Sequence, residues 1–360
     1  MKILFISRAT LYSDKGGDTV QIINTAKYLE KIGVQVKIRL CNEDIDYSDF
    51  DLIHFFNIIR PADILIHIDK SRKPYVISTI FVDYSEYEKK IRSGFIGNLF
   101  RIFSSDFIEY LKVIARSFAN SEKIVSPAYL ILGQKKAIKK IIRNARMLLP
   151  NSHSEYYRLR ANYRVDKIYK VIPNAIEPSL FNNDVEQLPR NNSLIICVGR
   201  IEGRKNQSNL IKALNGTKYQ LLIIGSPSPN QMKYYKKCKE IAEQNVTFIE
   251  NISQEGLIEY YKRAKVHVLP SWFETTGLSS LEAAAMGCNI VITDKGDTRE
   301  YFEDYAYYCD PASPESIYDT VEKAANNDFN KELQNKIFSR YIWSQTAQLT
   351  IEAYKEAEKG

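Results

Sequence analysis

The stretch VHVLPSWFETTGLSSLEAAAMG, residues 266–287, has the pattern of a buried strand, a short loop and an Ala-rich helix. The apolar run 266–269 predicts a strand that stops at Pro270. Gly277 opens the helical pattern and Gly287 closes it. Because the first amides of a helix have no backbone partners, the junction between loop and helix predicts an anion-binding site.

Two carboxylates, Glu274 in the loop and Glu282 in the helix, lie beside this predicted anion site. Carboxylates do not bind phosphate groups, because like charges repel each other at close range. Hydroxyl groups are their natural partners. The two residues therefore predict contacts with a sugar and a ribose that flank the anion.

The rest of the chain alternates apolar strands with helices. Strands are expected at residues 3–7, 34–40, 51–56 and 75–81 in the first half, and at 193–198, 219–224, 246–250, 266–269, 289–293 and 305–309 in the second. Such alternation predicts parallel sheets, and its occurrence in both halves predicts an α/β protein with two Rossmann-like domains. No Gly-x-Gly-x-x-Gly sequence occurs, which argues against a dinucleotide-dependent oxidoreductase.

The segments between the predicted strands suggest the domain boundaries. Residues 1–176 are expected to form the first domain, with a helical and basic insert at about 87–146. A segment rich in Pro, Asn and charged residues at 177–192 is the expected linker. Residues 193–342 are the second domain, and a last helix at 343–360 is expected to pack back across the domains.

The length and composition are those of a globular protein. With 360 residues, of which 44% are hydrophobic and 26% charged, the chain is long enough to bury two cores. Its first apolar run is too short for a signal peptide, and no window approaches the roughly 20 apolar residues of a membrane span. The five cysteines have no paired spacing, so they are expected to be reduced thiols in a cytoplasmic protein without a metal site.

The formal charge of +7 permits three kinds of anionic partner: nucleic acid, a membrane surface or a small ligand. Between residues 112 and 146, nine Lys and Arg face a single Glu, and aromatic residues precede them. This pattern suits helices that dock on an anionic lipid surface at the inner face of the membrane, and it equally suits solvated helix faces. Nucleic acid is not expected, because no recognition motif accompanies the basic residues.

A second loop of functional character follows the first predicted strand of the second domain. It reads GRIEGRKN, residues 199–206. Arg200 can present a bidentate guanidinium group and Lys205 a point charge to a phosphate. The helix expected to start near Lys205 adds the positive end of its dipole. The alternative is a surface loop with ordinary cations.

These motifs resemble those of the family-4 retaining glycosyltransferases, which have the GT-B fold of two facing Rossmann-like domains with a cleft between them. The resemblance rests on GR at 199–200, KN at 205–206, Glu274 followed after seven residues by Glu282, VIPN at 171–174, and Trp343 opening the last helix. It spans essentially the whole chain and is most specific between residues 193 and 302.

The resemblance implies the transfer of a hexose-type sugar from a nucleotide-sugar donor to an acceptor hydroxyl. The mechanism would retain the anomeric configuration and need no metal and no cofactor besides the donor itself. Arg200 and Lys205 would hold the donor's diphosphate and stabilise the charge of the leaving group. Glu274 would bind hydroxyls of the donor sugar, so these three residues are the expected catalytic set.

The resemblance also implies a set of donor-binding residues. Glu282 would bind the nucleotide ribose, and Gly17 would approach the donor from the first domain. The backbone contacts to sugar and phosphate are expected from Thr275, Thr276, Gly277 and Leu278.

The first domain departs from the family pattern where many relatives carry a His-Asp pair. Phe81 stands where His is common, and Asp83 either takes over the polar role near the acceptor or caps a turn. His153, which follows a strand end, is a second acceptor-side candidate. His54 lies within an apolar strand and is expected to be a core residue with satisfied hydrogen bonds.

Two hypotheses follow for the function. The first is a glycosyltransferase of surface polysaccharide or lipid-linked glycan synthesis, with a glycan or lipid-linked acceptor. The second is a non-catalytic protein of the same fold that binds a nucleotide-sugar or a membrane, and the absent His favours it. An epimerase or phosphorylase is disfavoured by the spacing of Glu274 and Glu282.

Overall fold

The computed structural model describes residues 1–84, 87, 106–107, 110–111, 113, 127–181, 190–250 and 252–359. The chain divides into two units: unit 1 is Met1–Asn174 with Trp343–Gly360, and unit 2 is Ala175–Ile342. Residues 88–105 and 114–126 of the predicted insert lie outside the described residues. Among the helices that are described, none is both long and apolar enough to cross a membrane.

Unit 1 is a parallel sheet with helices. Its elements are β1 (Lys2–Ser7), α1 (Gly17–Lys31), β2 (Gln35–Leu40), β3 (Leu52–Phe56), α2 (Pro61–Ser71), β4 (Tyr75–Ser78), α3 (Pro127–Asn144), β5 (Met147–Leu148), α4 (His153–Tyr163) and the C-terminal helix Trp343–Lys359. The strand order is β2-β1-β3-β4-β5. The winding of the chain reverses between β1 and β3, and open α/β sheets bind ligands beyond the carboxyl ends of the strands at such a point.

The C-terminal helix is joined to this sheet by a buried polar contact. His54, on β3, is 1% exposed. Its Nδ1 lies 2.7 Å from the hydroxyl of Tyr354 on the C-terminal helix, and its Nε2 lies 2.9 Å from Ser78 Oγ on β4. Burial lowers the pKa of His54 to about 3, so the ring is neutral. The prediction of a core histidine with satisfied hydrogen bonds is confirmed.

Unit 2 contains a longer parallel sheet. Its elements are β6 (Asn191–Val198), α5 (Gln207–Leu214), β7 (Gln220–Ile224), α6 (Met232–Ile241), β8 (Val246–Ile249), α7 (Gln254–Arg263), β9 (Ala264–Leu269), α8 (Leu278–Ala285), β10 (Asn289–Thr293), α9 (Thr298–Phe302), β11 (Tyr307–Cys309), α10 (Pro314–Asn326) and α11 (Lys331–Arg340). The strand order is β11-β10-β9-β6-β7-β8, which is the Rossmann order with its winding reversal between β6 and β9.

The core of unit 2 lies on both faces of this sheet. The central strand β6 has five consecutive buried residues at 194–198, as expected where helices cover both faces. Buried side chains of α8 and α11 lie in the cluster on one face, and those of α5 and α10 lie in the cluster on the other. All five cysteines are free; Cys41 is half-buried and the others are buried.

Several details differ from the sequence predictions, among them the strand expected at 305–309, which is Tyr307–Cys309. The strand expected at 75–81 ends at Ser78, because Ile80 has a left-handed φ of 44° that interrupts an extended chain. The helix expected to start near Lys205 begins at Gln207, after a one-turn 3₁₀ helix at Gly203–Lys205. No positions were predicted for the helices α2, α9 and α11.

Candidate functional site

The candidate site of unit 2 lies where its sheet reverses winding. The strands β6 and β9 are neighbours there, with Ile196 paired to His267. Because the two strands run in the same direction, the loops that follow them begin at the same edge of the sheet. The loop after β6 carries Arg200 and Lys205, and the loop after β9 carries Glu274. Parallel pairing thus brings the two predicted motifs to one edge.

Lys205 and Glu274 are in direct contact. Lys205 Nζ donates to Glu274 Oε2 over 2.6 Å, and Ser271 Oγ donates to the same oxygen over 3.0 Å. Only 24% of the Lys205 side chain and 10% of the Glu274 side chain are exposed. Solvent and salt screen such a partly buried pair less than a surface pair. The predicted phosphate-binding cation and the predicted sugar-binding carboxylate therefore form one charge-neutral unit.

The backbone of Glu274 is held by the loop after β10. Glu274 N donates to Lys295 O over 3.0 Å, and Asp297 N donates to Glu274 O over 2.9 Å. Between these two residues lies Gly296, whose φ is 107°. A Cβ at this position would lie 2.1 Å from Glu274 O, so only glycine permits the close approach of the two loops.

Arg200 has a different carboxylate partner, which was not predicted. Glu202 is 5% exposed and lies 3.8 Å from Arg200 Nη2 and 3.1 Å from Arg204 Nη2. Burial raises the pKa of Glu202, but the two guanidinium groups outweigh this effect and hold the pKa below its ordinary value. The sequence contains a signal for this role of Glu202, because the segment GRIEGRKN places one acid among three cations.

The predicted donor-contacting residues occupy the turn into α8. Gly277 has a left-handed φ of 70° and immediately precedes the helix. Thr276 is buried, whereas Thr275 and Leu278 are half-buried. Ser279 Oγ donates over 2.8 Å to the carbonyl of the last residue of β6, which ties the first turn of α8 to the β6 edge. Contacts of this turn with sugar and phosphate stay a prediction.

Glu282 lies in α8 and is bonded to neutral groups. Its two oxygens accept from Tyr261 OH over 3.0 Å and from Gln254 Nε2 over 3.1 Å. Burial raises the pKa of Glu282 from 4.5 to about 7, because these two donors offset the loss of solvation only in part. Its predicted ribose contact is untested, and near neutral pH the carboxyl group is present in both protonation states.

In unit 1, Gly17 is the first residue of α1. The loop before it is held by Arg8, which was not predicted. The Arg8 guanidinium donates to the two oxygens of Asp18 over 2.7 and 3.0 Å, and to Asp14 O over 2.7 Å. Arg8 directly follows β1, so it orders this glycine loop at the carboxyl end of the strand.

The loop after β4 contains Phe81 and Asp83. Phe81 is 6% exposed, and its ring packs edge-on against Tyr163. Glu155, a fully buried carboxylate of α4 that was not predicted, accepts from Phe81 N and from Asn151 N, each over 2.8 Å. The available signal for Glu155 was the Ser-x-x-Glu pattern at the start of α4. Asp83 is half-buried, and its acceptor role stays a prediction.

His153 is the first residue of α4 and is exposed. Its Nδ1 lies 3.1 Å from the hydroxyl of Tyr169, and the two rings meet edge to face. These contacts give the ring a defined orientation. Its acceptor-side role, like that of Asp83, stays a prediction.

A known protein family is similar to most of unit 2. Residues 181–340 match the family described as glycosyl transferases group 1. The matched segment contains Arg200, Lys205, Glu274 and Glu282, whereas VIPN at 171–174 and Trp343, on which the resemblance also rests, lie outside it. Residues 181–340 are therefore similar to the glycosyl transferases group 1, and residues 1–180 lie outside the match.

Curated relatives are similar to different shares of the chain. An uncharacterised glycosyltransferase of Methanocaldococcus jannaschii is 28% identical over 217 residues, which are 53% of this chain and 55% of the relative. A serotype-specific mannosyltransferase of Escherichia coli is 27% identical over 164 residues, which are 43% of this chain and only 20% of the relative. An N-acetylgalactosaminyltransferase of Campylobacter jejuni, whose acceptor is a diphospho-undecaprenol-linked saccharide, is 23% identical over 311 residues, 82% of each chain.

Solved structures share the fold over the whole chain. A sucrose-phosphate synthase of Thermosynechococcus elongatus aligns with a TM-score of 0.77 at 17% identity, covering 100% of this chain and 99% of that one. The Anabaena protein HepE, in complex with UDP and glucose, aligns with a TM-score of 0.69 at 16% identity, covering 99% of each chain. The fold is GT-B, with two Rossmann-like units, as the sequence predicted.

Proposed function

We propose that this protein is a retaining, metal-independent glycosyltransferase that moves a sugar from a nucleotide-sugar to an acceptor hydroxyl. The observation that carries the proposal is the Lys205–Glu274 pair. It joins a cation suited to a diphosphate and a carboxylate suited to sugar hydroxyls, within a segment of the glycosyl transferases group 1.

The charges of the site suggest how the donor would bind. The diphosphate would compete with Glu274 for Lys205 and with Glu202 for Arg200, and Glu274 would then accept hydrogen bonds from the donor sugar. As the bond between sugar and phosphate breaks, negative charge grows on the leaving diphosphate, and the two cations stabilise it. With the N-terminus of α8, they can supply the charge neutralisation that a divalent ion gives elsewhere.

Two relatives support the choice of substrates. The Anabaena protein HepE is described in complex with UDP-glucose, so uridine nucleotide-sugars are the first donors to test. The Campylobacter jejuni relative acts on a diphospho-undecaprenol-linked saccharide, so we propose a lipid-linked glycan acceptor and a role in lipid-linked or surface glycan synthesis.

The exposed cations of α3 suggest that the protein binds the inner face of the membrane. This helix exposes Lys135, Lys136 and Arg143, which would attract anionic lipid at roughly 1 kcal/mol for each charge. Sedimentation with phosphatidylglycerol vesicles at low salt tests it: the wild type should pellet, and a variant with all three residues changed to Glu should not. Equal sedimentation of the two proteins would contradict it.

The activity is tested with a panel of UDP- and GDP-sugars and lipid-linked diphosphate saccharides, with release of the nucleotide as the signal. Turnover should persist in EDTA, and NMR of the first product should show the donor's anomeric configuration. Loss of turnover in EDTA would contradict metal independence, and an inverted product would contradict retention of the anomeric configuration.

A non-catalytic role is the second candidate, and Phe81 favours it. At the position where many relatives carry His, its side chain is apolar and buried. A nucleotide-sugar that raises the melting temperature, with no turnover against any acceptor, would support this candidate over the first.

A further inference from the structure

Asn206, between Lys205 and α5, is a buried polar residue in an unusual backbone conformation. It is 2% exposed, and its φ of 61° and ψ of 29° are left-handed. Asn tolerates this region better than most residues do, but Gly adopts it with no steric cost. The backbone conformation alone therefore does not explain why this residue is Asn and not Gly.

The side chain of Asn206 spans two other loops. Its Nδ2 donates to Pro270 O over 3.1 Å and to Pro311 O over 2.7 Å. Pro270 begins the loop that carries Glu274, so this amide joins the loop of the cation to the loop of the carboxylate. A second bond joins the same two loops on the other side of Lys205, where Trp272 N donates to Arg204 O over 2.9 Å.

We infer that Asn206 is a positioning residue that holds Lys205 against Glu274. Lysine is a point charge on a flexible four-carbon stem, so the place of its ammonium group depends on where its backbone is anchored. The bonds of residues 204 and 206 anchor that backbone on both sides. Asn206 acts through Lys205 and does not touch the substrate, and its effect on turnover rests on the proposed function.

The test compares Asn206→Gly with Asn209→Ala. The glycine keeps the left-handed backbone and removes the amide. Asn209 Nδ2 also donates to Pro311 O, over 3.0 Å. The bond to Pro270 O comes from Asn206, so Asn209→Ala removes a bond to the same carbonyl and leaves the link between the two loops in place. Asn206→Asp, which keeps the shape and removes the donor, is the second variant if the glycine variant does not fold.

The first measurement does not depend on catalysis. The rate at which acetic anhydride labels Lys205 is followed by mass spectrometry and divided by the rate for Lys218, whose side chain is 63% exposed. We expect Asn206→Gly to raise this ratio by roughly 2- to 10-fold, the factor that one net hydrogen bond corresponds to. Asn209→Ala should leave it unchanged. An unchanged ratio in Asn206→Gly, or an equal rise in both variants, overturns the inference.

The second measurement is a double-mutant cycle in kcat/KM for the donor. Asn206→Gly should lower kcat/KM by about tenfold or more in the wild type, because a displaced charge stabilises the transition state poorly. In the Lys205→Met background it should have little further effect, since residues that act through one another are not additive. Fully additive losses would show that Asn206 acts independently of Lys205. If the wild type turns over no donor, the proposed function fails while the labelling result still stands.

Discussion

Lys205 Nζ lies 2.6 Å from Glu274 Oε2, although 69 residues separate them in the chain. The contact exists because β6 and β9 are neighbours at the point where the sheet of unit 2 reverses its winding. Both side chains are mostly buried, and Ser271 adds a hydrogen bond to the same carboxylate oxygen. The fold thus holds the two charges close together. In the proposed function a diphosphate would draw Lys205 away from Glu274 on binding, so this rearrangement would be complete before the bond between sugar and phosphate breaks.

The pair predicts a large loss of turnover when either member is neutralised. Lys205→Met and Glu274→Gln should each lower kcat for nucleotide release by about 100-fold or more, since in the proposed function each would remove a polar contact to the donor. Lys218→Met is the matched control, because this lysine is exposed and its ion pair with Glu322 is long, at 3.9 Å. Turnover of either site variant within twofold of the control would show that the donor binds elsewhere.

The raised pKa of Glu282 predicts a pH-dependent stability. Because burial raises the pKa to about 7 from an ordinary 4.5, the folded state holds a proton that the unfolded state releases between these values. The stabilising contribution of this proton is complete below about pH 4.5 and is lost as the pH rises through about 7. Glu282→Gln carries no such proton, so the melting temperature of the variant minus that of the wild type should increase between pH 5 and pH 8.

Using the difference between the two proteins separates Glu282 from other titrating groups. The buried His54 and His267 have pKa values lowered from 6.5 to about 3, so between pH 5 and pH 8 they are neutral in the folded state and take up protons only in the unfolded state. This effect is the same in both proteins and cancels in the difference. A difference that stays flat from pH 5 to pH 8 would contradict a raised pKa at Glu282.

The hydrogen bond between Tyr354 and His54 predicts how much the C-terminal helix contributes to the stability of unit 1. Tyr354→Phe leaves His54 Nδ1 buried without its partner, and an unsatisfied buried group costs about 1–3 kcal/mol. Urea unfolding followed by circular dichroism measures the change. Tyr318→Phe, which removes a longer hydrogen bond of 3.3 Å to Glu322, should change stability by less than about 0.5 kcal/mol. Equal changes in the two variants would mean that the contact with His54 is not important for stability.

The central parts of the site could be predicted from local sequence. The apolar run of β9 and the two glycines around α8 are signals within about twenty residues, and the structure has the strand and helix there. Two predicted bounds were wrong because of backbone conformation: the strand expected at 75–81 ends at Ser78, and the helix expected near Lys205 begins at Gln207. Ile80 and Asn206 take left-handed conformations. Isoleucine rarely adopts this region, so the local sequence does not indicate the end of β4. The bonds of Asn206 to Pro270 and Pro311 join residues that are distant in sequence.

The partners of the site residues could not be predicted, because they are distant in sequence. Tyr261 lies 21 residues from Glu282, and Asn206 lies 64 residues from Pro270. Only the order of strands in the sheet brings such residues together, and strand order is not encoded in any local pattern. Glu202 could have been predicted, because its partners Arg200 and Arg204 are close to it in sequence.

The close approach of Gly296 to Glu274 predicts that a side chain at position 296 would displace Glu274. In Gly296→Ala, the new Cβ would lie 2.1 Å from Glu274 O and would be strained at a φ of 107°. Backbone cannot move aside as a flexible side chain can, so we expect a loss of at least about 2 kcal/mol in the free energy of unfolding. Because Glu274 must shift, kcat should fall by about 100-fold in protein that is still folded.

Gly33→Ala separates backbone strain from this displacement. Gly33 has a φ of 85°, and a Cβ there would meet nothing within 4 Å. This variant should lose about 1–2 kcal/mol from the left-handed conformation alone and keep its turnover. Denaturant unfolding and nucleotide release, measured on both variants at a temperature where each is folded, distinguish the two effects. If Gly296→Ala retained full turnover, the loop after β10 would not be what holds the Glu274 carboxylate in place.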